Sequence, residues 1–493
     1  MKYGRGLRPP SRSSGRGWRW WIFRVALPPT LMLVFLLQPL FYFLVHRGSQ
    51  QGAASAQGDS ARSAELLSWD ARIQDLDERR GNRQVDAWSQ GKSVQQLDSQ
   101  VQPKVDKAEI SSKFDHPSFA KPEVAVGWPP SNLLSIQMLE FNRQGRWIPA
   151  GQGPVNISRL APDAIPIVLY VHNRPSYLRV VLDALSHVHG IEETVLIVSH
   201  DGYYPEVADI VGEITFTRVK QIFAPYSPHN FVDSFPNISP GDCPERPAAG
   251  EVQVGCVGDA DQYGNYRAPR IVSLKHHWFW LMNHVWDEMV ELRDFEGHIM
   301  FMEEDHVLAP KAYRTLQVLA KVKGERCPHC VAVNLGMPLH DGGNPGGNYF
   351  VADWMANMGY AFNRSTWQRM RDGARTFCTY SDYNWDETLK WSVMAHWAPV
   401  RLGLHAAGPP IMHMGKCGLH GQADGAGCAE IDDQVAAFLA QEADRPPPDE
   451  SWGIREEGQD LNRIGFSGWG GWGDRRDHKL CMFFAKLPEG LRS

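Results

Sequence analysis

The stretch Gly297-His298-Ile299-Met300-Phe301-Met302-Glu303-Glu304-Asp305-His306 decides how the rest of the chain is interpreted. An apolar run of strand length ends there in three carboxylates and a histidine. Ligands of open α/β sheets bind at the carboxyl ends of the strands, so charges at this point are placed for chemistry. Hard oxygen ligands suit Mg²⁺ or Mn²⁺, especially where a diphosphate completes the coordination. The alternative is a solvated acidic turn after a strand.

Two further strand-like runs also end in polar residues. Residues 166–171 lead into His172-Asn173-Arg174-Pro175, and residues 194–199 lead into His200-Asp201. Apolar residues repeat at helical spacing between the two runs, and Gly190 supplies a stop. This spacing predicts a βαβ unit and therefore a parallel sheet. Both polar ends then fall on the same edge as the acidic triplet, which favours a ligand site there.

The remaining pattern predicts more strands and helices of the same kind. Strands are predicted at 219–223, 331–335 and 357–362, and a short strand leads into a Gly-rich turn over 411–418; helices are predicted at 271–292, from a start within 382–387 to about 397, and from 435. Asp386 lies at a helix start, where an acidic residue commonly serves the helix dipole. His276 and His277 are adjacent, so they cannot both face one metal from a regular helix. One of them is expected to contact substrate or phosphate, unless both are ordinary surface and core histidines.

Composition limits the class of protein. A chain of 493 residues exceeds the usual single domain, although α/β catalytic domains of roughly 300 residues occur undivided. The net charge of -6 gives no indication of a nucleic-acid partner.

The amino-terminal segment predicts a membrane anchor. Seven basic residues precede the apolar run, and the first carboxylate of the chain is Asp59. Residues 25–45 carry no charge over about the ~20 residues that cross a bilayer. The basic side is expected in the cytoplasm. A cleaved signal peptide is the alternative, but the apolar region is too long and no small-residue cleavage site follows closely. We therefore expect a tail at 1–24, an anchor at 25–46, a stem at 47–130 and a lumenal catalytic domain at 131–493.

The stem and the cysteines fit that arrangement. The stem is rich in Ser, Gln, Asp and Arg and is expected to be flexible, with a short amphipathic segment at 66–76 as a weak homodimer contact. All eight cysteines lie beyond residue 242, which suits disulfides in an oxidising compartment. Cys327-x-x-Cys330 could instead be a redox or zinc half-site, but no second Cys-x-x-Cys is present. Three glycosylation sequons begin at Asn156, Asn237 and Asn363.

Several motifs taken in order resemble one enzyme family. They are Tyr170-Val171-His172-Asn173-Arg174-Pro175, Ser199-His200-Asp201, Lys275-His276-His277-Trp278, Glu303-Glu304-Asp305-His306, Tyr383-Asn384-Trp385-Asp386 and Gly471-Trp472-Gly473-Asp474. Together they resemble the α-1,6-mannosyl-glycoprotein 2-β-N-acetylglucosaminyltransferases, or N-acetylglucosaminyltransferase II. The resemblance runs from about residue 164 to 487. It implies a GT-A glycosyltransferase with a Rossmann-like sheet, bound to UDP-N-acetylglucosamine and usually Mn²⁺, in a type II Golgi membrane protein.

The resemblance also implies roles for individual residues. Asp305 and His413 would hold the metal, Asp386 would be the catalytic base, and Glu303 and Trp385 would meet the acceptor mannose. The nucleotide-sugar pocket would be formed by Val171, His172, Asn173, Arg174, Pro175, Asp201, Ser273, Leu274, Lys275, His276 and His277. The expected disulfides are Cys243 with Cys256, Cys327 with Cys330, Cys378 with Cys481, and Cys417 with Cys428.

The implied reaction is inverting transfer of N-acetylglucosamine to the 2-hydroxyl of the α-1,6-linked mannose of an N-glycan core. One positioned carboxylate can serve as its base, and a bound cation with nearby donors can neutralise the departing diphosphate. Two alternatives stay open at this point. One is a β-1,2-N-acetylglucosaminyltransferase that acts on a different mannose, and the other is an inactive sugar-binding protein on the same fold.

Overall fold

The computed structural model describes residues 128–149, 155–157, 160–246, 255–336, 348–352, 355–397, 401–415, 431–443, 445–456 and 467–486. The predicted tail, membrane anchor and nearly all of the stem lie outside these residues, as do Cys417 and Cys428. Within the described part of the chain, no helix combines the length and the apolar character that a membrane span needs.

The described chain alternates helices and strands. The helices are α1 Leu133–Gln144, α2 Pro175–Ser186, α3 Pro205–Gly212, α4 Pro269–Asn283, α5 Ala312–Arg326, α6 Arg364–Asp372, α7 Ala374–Thr379, α8 Trp385–Thr388, α9 Ile431–Glu442 and α10 Arg475–Phe484. The strands are β1 Ile167–Val171, β2 Val195–His200, β3 Arg218–Phe223, β4 His298–Glu303, β5 His306–Leu308, β6 Cys330–Asn334, β7 Asn348–Ala352, β8 Tyr360–Asn363, β9 Arg401–Ala406, β10 Ile411–His413 and β11 Gly453–Glu456.

Nine strands form one mixed sheet in the order β11-β7-β9-β6-β8-β4-β1-β2-β3. Strand β1 lies between β2 and β4 and is parallel to both, as the βαβ pattern predicts. The pairs β2–β3, β6–β9 and β7–β11 are also parallel, whereas β4–β8, β6–β8 and β7–β9 are antiparallel. The sheet is therefore mostly parallel. A separate two-stranded sheet pairs β5 with β10.

Apolar residues cover both faces of the large sheet. Along β1, Val168 belongs to one core cluster while its neighbours Ile167 and Leu169 belong to the other. Successive strand residues point to opposite faces, so a strand buried on both sides is apolar throughout. Helix α2 shows the matching helical pattern, because Leu178, Val181 and other residues at that spacing are buried against the sheet. Each such leucine stabilises the fold by about 1.5–3 kcal/mol relative to an exposed one.

Two predicted helices are shorter than their sequence pattern indicated. The helix predicted over 271–292 ends as an α-helix at Asn283 and continues as a π-helical turn, His284–Glu288, and a 3₁₀ turn, Val290–Leu292. Helix α8 likewise has only four residues before the π-helical turn Leu389–Val393. Apolar periodicity cannot distinguish these geometries because a single π turn adds only one residue to the repeat.

Disulfides and aromatic contacts hold the outer parts of the unit. Three of the four expected disulfides are formed, Cys243–Cys256, Cys327–Cys330 and Cys378–Cys481. The last of these joins α7 to α10. Trp128 already packs against Phe235 and Phe483, with ring centroids 6.5 and 6.3 Å away. The folded unit therefore includes residues slightly before the expected boundary at 131.

Candidate active site

Three parallel strands deliver the predicted polar residues to one edge of the sheet. Tyr170 on β1 is in register with Glu303 on β4 and with Ser199 on β2, so the residues that follow the three strands emerge side by side. The His172 backbone N–H donates to Glu304 Oε2 at 2.7 Å, and His172 Nδ1 lies 2.7 Å from Asp201 Oδ2. The polar residues predicted to meet at this edge of the sheet therefore form one cluster connected by hydrogen bonds.

Arg174 links two members of the acidic triplet. Its Nε donates to Glu304 Oε1 at 2.5 Å, and its Nη1 donates to Asp305 Oδ2 at 3.0 Å. Burial raises the pKa of Glu304 to about 6, although the Arg174 charge opposes that shift. The pKa of Asp305 lies well below its usual value, because the contact with His413 and the neighbouring positive charges outweigh burial. Asp305 is therefore ionised across the physiological range.

Asp305 and His413 fit a divalent cation. Antiparallel pairing of β5 with β10 places His413 opposite His306, and ligand atoms of these two histidines and Asp305 lie within 4.8 Å of one another. His413 Nε2 is 3.5 Å from Asp305 Oδ2. Asp305 Oδ1 is buried and has no hydrogen-bond partner among the described residues. Gly415 keeps the space beside them open, since a Cβ there would lie 2.7 Å from Asp305 Oδ2.

His306 supports this pair and is not itself a suitable ligand. Its Nδ1 accepts the Glu303 backbone N–H at 3.1 Å. Burial lowers the pKa of His306 to about 4, so the ring is neutral and its one proton must be on Nε2. That Nε2 faces Asp305 Oδ1 at 3.9 Å. A protonated nitrogen cannot coordinate a metal, so His306 lies beside the Asp305 carboxylate without serving as a ligand.

Glu303 faces a second carboxylate across the cleft. Tyr170 Oη donates to Glu303 Oε1 at 3.2 Å. The pKa of Glu303 is raised to about 8, first by burial and then by the charges of Asp305 and Asp386. Burial also raises the pKa of Asp386 to about 6. Asp386 is thus close enough to Glu303 for their charges to interact, and Asp305, His413 and Asp386 converge on one region.

Asp386 is positioned by the aromatic packing of its neighbour. Trp385 is buried and stacks on Trp278 at 4.7 Å between ring centroids. Trp278 donates Nε1–H to Tyr360 Oη at 2.7 Å, and the Tyr360 ring lies 5.4 Å from Trp385. Trp385 therefore supports the position of Asp386 by packing and offers little open surface to a ligand.

The predicted donor segment 273–277 divides between two environments. His277 Nε2 lies 2.8 Å from Ser199 Oγ and so stays near the end of β2. Lys275 is fully buried, and its Nζ donates to the backbone oxygens of Asp382 at 2.8 Å and Tyr380 at 3.2 Å. His276 Nε2 lies 2.9 Å from the buried carboxylate of Asp477.

The donor contacts expected of Lys275 and His276 therefore stay predictions, because each side chain already has a partner inside the protein. Lys275 Nζ and His276 Nε2 are bonded to groups of the protein, whereas His276 Nδ1 is buried and has no hydrogen-bond partner among the described residues. Ser273 likewise donates to the Arg270 backbone oxygen, and Leu274 is 40% exposed. Val171 ends β1 in the core, Asn173 is exposed, and Pro175 begins α2. The sequence also failed to identify His229, which lies 3.5 Å from Asp201 through Nε2 to Oδ2.

Fold and site together define an α/β protein with a candidate divalent-metal centre and a candidate proton acceptor at one sheet edge. The family N-acetylglucosaminyltransferase II (MGAT2) matches residues 152–481. The chain therefore belongs to the N-acetylglucosaminyltransferase II family.

Curated relatives agree with this assignment. An alpha-1,6-mannosyl-glycoprotein 2-beta-N-acetylglucosaminyltransferase of Arabidopsis thaliana is 47% identical over 331 residues, or 66% of this chain and 76% of the relative. The Homo sapiens protein of that name is 34% identical over 335 residues, or 66% and 74%. Among solved structures, the mannosyltransferase PcManGT from Pyrobaculum calidifontis is 11% identical with a TM-score of 0.28, over 64% of this chain and 72% of that one. That score is too low to support an inference.

Proposed function

We propose that this protein is an inverting GT-A glycosyltransferase that moves N-acetylglucosamine from UDP-N-acetylglucosamine to the 2-hydroxyl of the α-1,6-linked mannose of an N-glycan. The product linkage is β-1,2. Membership of the N-acetylglucosaminyltransferase II family supports the reaction and its acceptor. The observation that carries the assignment in this chain is that Asp305 and His413 lie together at the sheet edge and that their charges and the charge of Asp386 all act on Glu303.

Asp386 acts as the general base in this proposal. With a pKa of about 6 the carboxylate is mostly ionised at neutral pH, yet it binds a proton better than an exposed aspartate does. Glu303, with a pKa of about 8 before any cation binds, is mostly protonated at the same pH. Environments that push the pKa values of two neighbouring carboxyl groups apart give them different roles. Asp386 accepts the mannose proton, while Glu303 can donate a hydrogen bond to an acceptor oxygen.

Asp305 Oδ2 and His413 Nε2 would hold the cation, for which we propose Mn²⁺. A carboxylate and one neutral imidazole, with space left for diphosphate oxygens, suit that ion. When bound, the cation stabilises the negative charge that develops on the departing diphosphate. Arg174 keeps the Asp305 carboxylate in place, since its Nη1 donates to Oδ2 at 3.0 Å. The contact between Asp305 and His413 raises the pKa of His413, so cation binding must displace a proton at low pH.

The protein's location is part of the proposal. The charge-free segment 25–45 behind a basic tail supports a single-pass type II anchor, with the catalytic domain in the Golgi lumen. Disulfides in the folded unit agree with an oxidising compartment.

A transfer assay tests the function directly. The full chain is incubated with UDP-N-acetylglucosamine, Mn²⁺ and a panel of mannose-terminated N-glycans that differ in which arm is free. We expect product only where the α-1,6-linked mannose is free, with a β-1,2 linkage in the product. Transfer to another mannose would replace the acceptor assignment, and absence of transfer to every glycan would overturn the enzyme assignment.

A further inference from the structure

A second cluster of ligand-type side chains lies at the end of β2. His172 Nδ1 is 2.7 Å and His229 Nε2 is 3.5 Å from the same oxygen, Asp201 Oδ2. Ligand atoms of all three residues lie within 4.8 Å of one another. Asp201 is only 6% exposed, and its other oxygen, Oδ1, has no hydrogen-bond partner within the described part of the chain. Two imidazoles thus converge on one buried carboxylate that keeps an unused oxygen.

The surrounding structure positions these groups before any ligand binds. Gly202 allows the close approach, since a Cβ there would lie 2.9 Å from the Cβ of His229. The His229 backbone N–H donates to Ser227 Oγ at 3.3 Å. The Tyr204 ring lies 5.6 Å from the His172 ring and 6.0 Å from the His229 ring and forms an aromatic wall beside both.

The spacing suits a small tetrahedral cation. With metal–ligand bonds of roughly 2.0–2.2 Å, two ligands of a tetrahedral site lie about 3.3–3.5 Å apart. The His229–Asp201 distance of 3.5 Å already matches. The His172–Asp201 distance must open from 2.7 Å, which the half-exposed His172 side chain can accommodate. Two imidazoles and one carboxylate bind Zn²⁺ or Co²⁺ more tightly than Mn²⁺.

We propose that His172, Asp201 and His229 form a second metal site that selects Zn²⁺ over Mn²⁺. Glu304 and Arg174 separate this second site from the Asp305 centre. Glu304 accepts the His172 backbone N–H, and Arg174 donates to both Glu304 and Asp305. The existence of this second metal site does not depend on the proposed enzymatic function. One consequence does rest on the proposed function: His172 and Asp201 are expected donor contacts, so a Zn²⁺ ion there blocks the nucleotide sugar.

Zinc titration of metal-stripped full-length protein tests the site. Every variant carries Asp305→Asn, which removes the first centre. We expect this background to bind one Zn²⁺, and Co²⁺ to give the visible absorption bands of tetrahedral coordination. Adding His229→Gln should lower the Zn²⁺ affinity by more than the 10- to 100-fold that loss of an outer-shell partner costs. Adding His187→Gln, which changes an exposed histidine at the end of α2, should leave Zn²⁺ affinity unchanged.

Two results would overturn the proposal: no Zn²⁺ bound by the Asp305→Asn background, or equal Zn²⁺ affinity with and without His229→Gln. Equal urea midpoints for all variants establish that lost binding is not lost folding. A second measurement addresses the consequence for the donor. Zn²⁺ should lower the UDP affinity of the wild-type chain and leave the UDP affinity of His229→Gln unchanged. Zinc binding with unchanged UDP affinity would retain the metal site and reject its overlap with the donor.

Discussion

The pH dependence of turnover should report the ionisation of Asp386. Its pKa of about 6 arises first from burial, with the charge of Glu387 adding to the shift. A general base must be ionised to act, so kcat should fall as pH decreases through that value. The ionised fraction is about 0.9 at pH 7 and about 0.1 at pH 5, which predicts a kcat roughly tenfold lower at pH 5.

The assay is initial-rate sugar transfer at saturating donor, acceptor and Mn²⁺ at every pH. Saturation matters because His413 must lose its proton to bind the cation, and unsaturated metal would produce a pH limb of its own. Asp386→Asn should lower kcat by a factor on the order of 10² to 10⁴ and leave UDP affinity nearly unchanged. The residual activity of that variant should be flat between pH 5 and 7.

Two carboxylate variants sharpen the assignment. Glu387→Gln removes a charge that raises the pKa of Asp386, so the fall of kcat on the acidic side of the pH profile, the acidic limb, should move to lower pH. The amide oxygen can still accept the Trp391 indole N–H, which Glu387 accepts in the native chain. Glu325→Gln, on the exposed side of α5, should leave the limb in place. A wild-type kcat in Asp386→Asn, or a limb that persists in it, would show that another group is the base.

Three further variants probe the supports of the site. Asp305→Asn should abolish the Mn²⁺ dependence of UDP affinity, measured by titration calorimetry with and without the ion. Gly415→Ala should weaken Mn²⁺ without changing the urea midpoint, because its Cβ would lie 2.7 Å from the Asp305 carboxylate; unchanged Mn²⁺ affinity would argue against the proposed centre. Asp477→Asn should lower the free energy of unfolding by about 3–5 kcal/mol, since the amide can accept only one of the two Arg267 bonds of 2.8 and 2.9 Å and leaves the buried guanidinium without a compensating charge. In the same urea titration, Asp259→Asn, in an exposed pair with Arg475, should cost less than about 1 kcal/mol, and equal losses would contradict this reasoning.

The edge of the sheet was predictable because parallel strands obey a simple rule. Once βαβ spacing places β1 and β2 side by side, the residues that follow them must emerge together. The structure pairs β4 with β1 in the same direction, so Glu304 and Asp305 join His172 and Asp201 without further assumptions. His413 could not be found this way. It arrives from the separate β5–β10 sheet, and only the resemblance to a family pointed to it.

The contacts of Lys275 and His276 could not be predicted from the sequence, for one physical reason. Periodicity shows that Lys275 and His276 lie on a helix, but not which way each side chain turns when nearly all sides of that helix are covered. Both face the aromatic layer below α4, where Lys275 lies 4.3 Å from the Trp472 ring centroid. Lysine is almost never fully buried, so no pattern in the sequence points to the contacts that Lys275 makes. Its real acceptors are backbone oxygens, which leave no mark in a sequence.

The two halves of the site are held by different means. Asp305 and its neighbours stand on strand ends, which the hydrogen bonds of a nine-stranded sheet keep fixed. Asp386 instead follows a loop whose backbone is bonded by Lys275, and whose Asp382 side chain accepts the Trp469 N–H from the carboxyl-terminal segment. The Cys378–Cys481 disulfide fastens the helices on either side of that loop. In the proposed mechanism, transfer needs base and donor at one fixed separation. We therefore expect the buried lysine and the disulfide to hold the base side in position without touching either substrate.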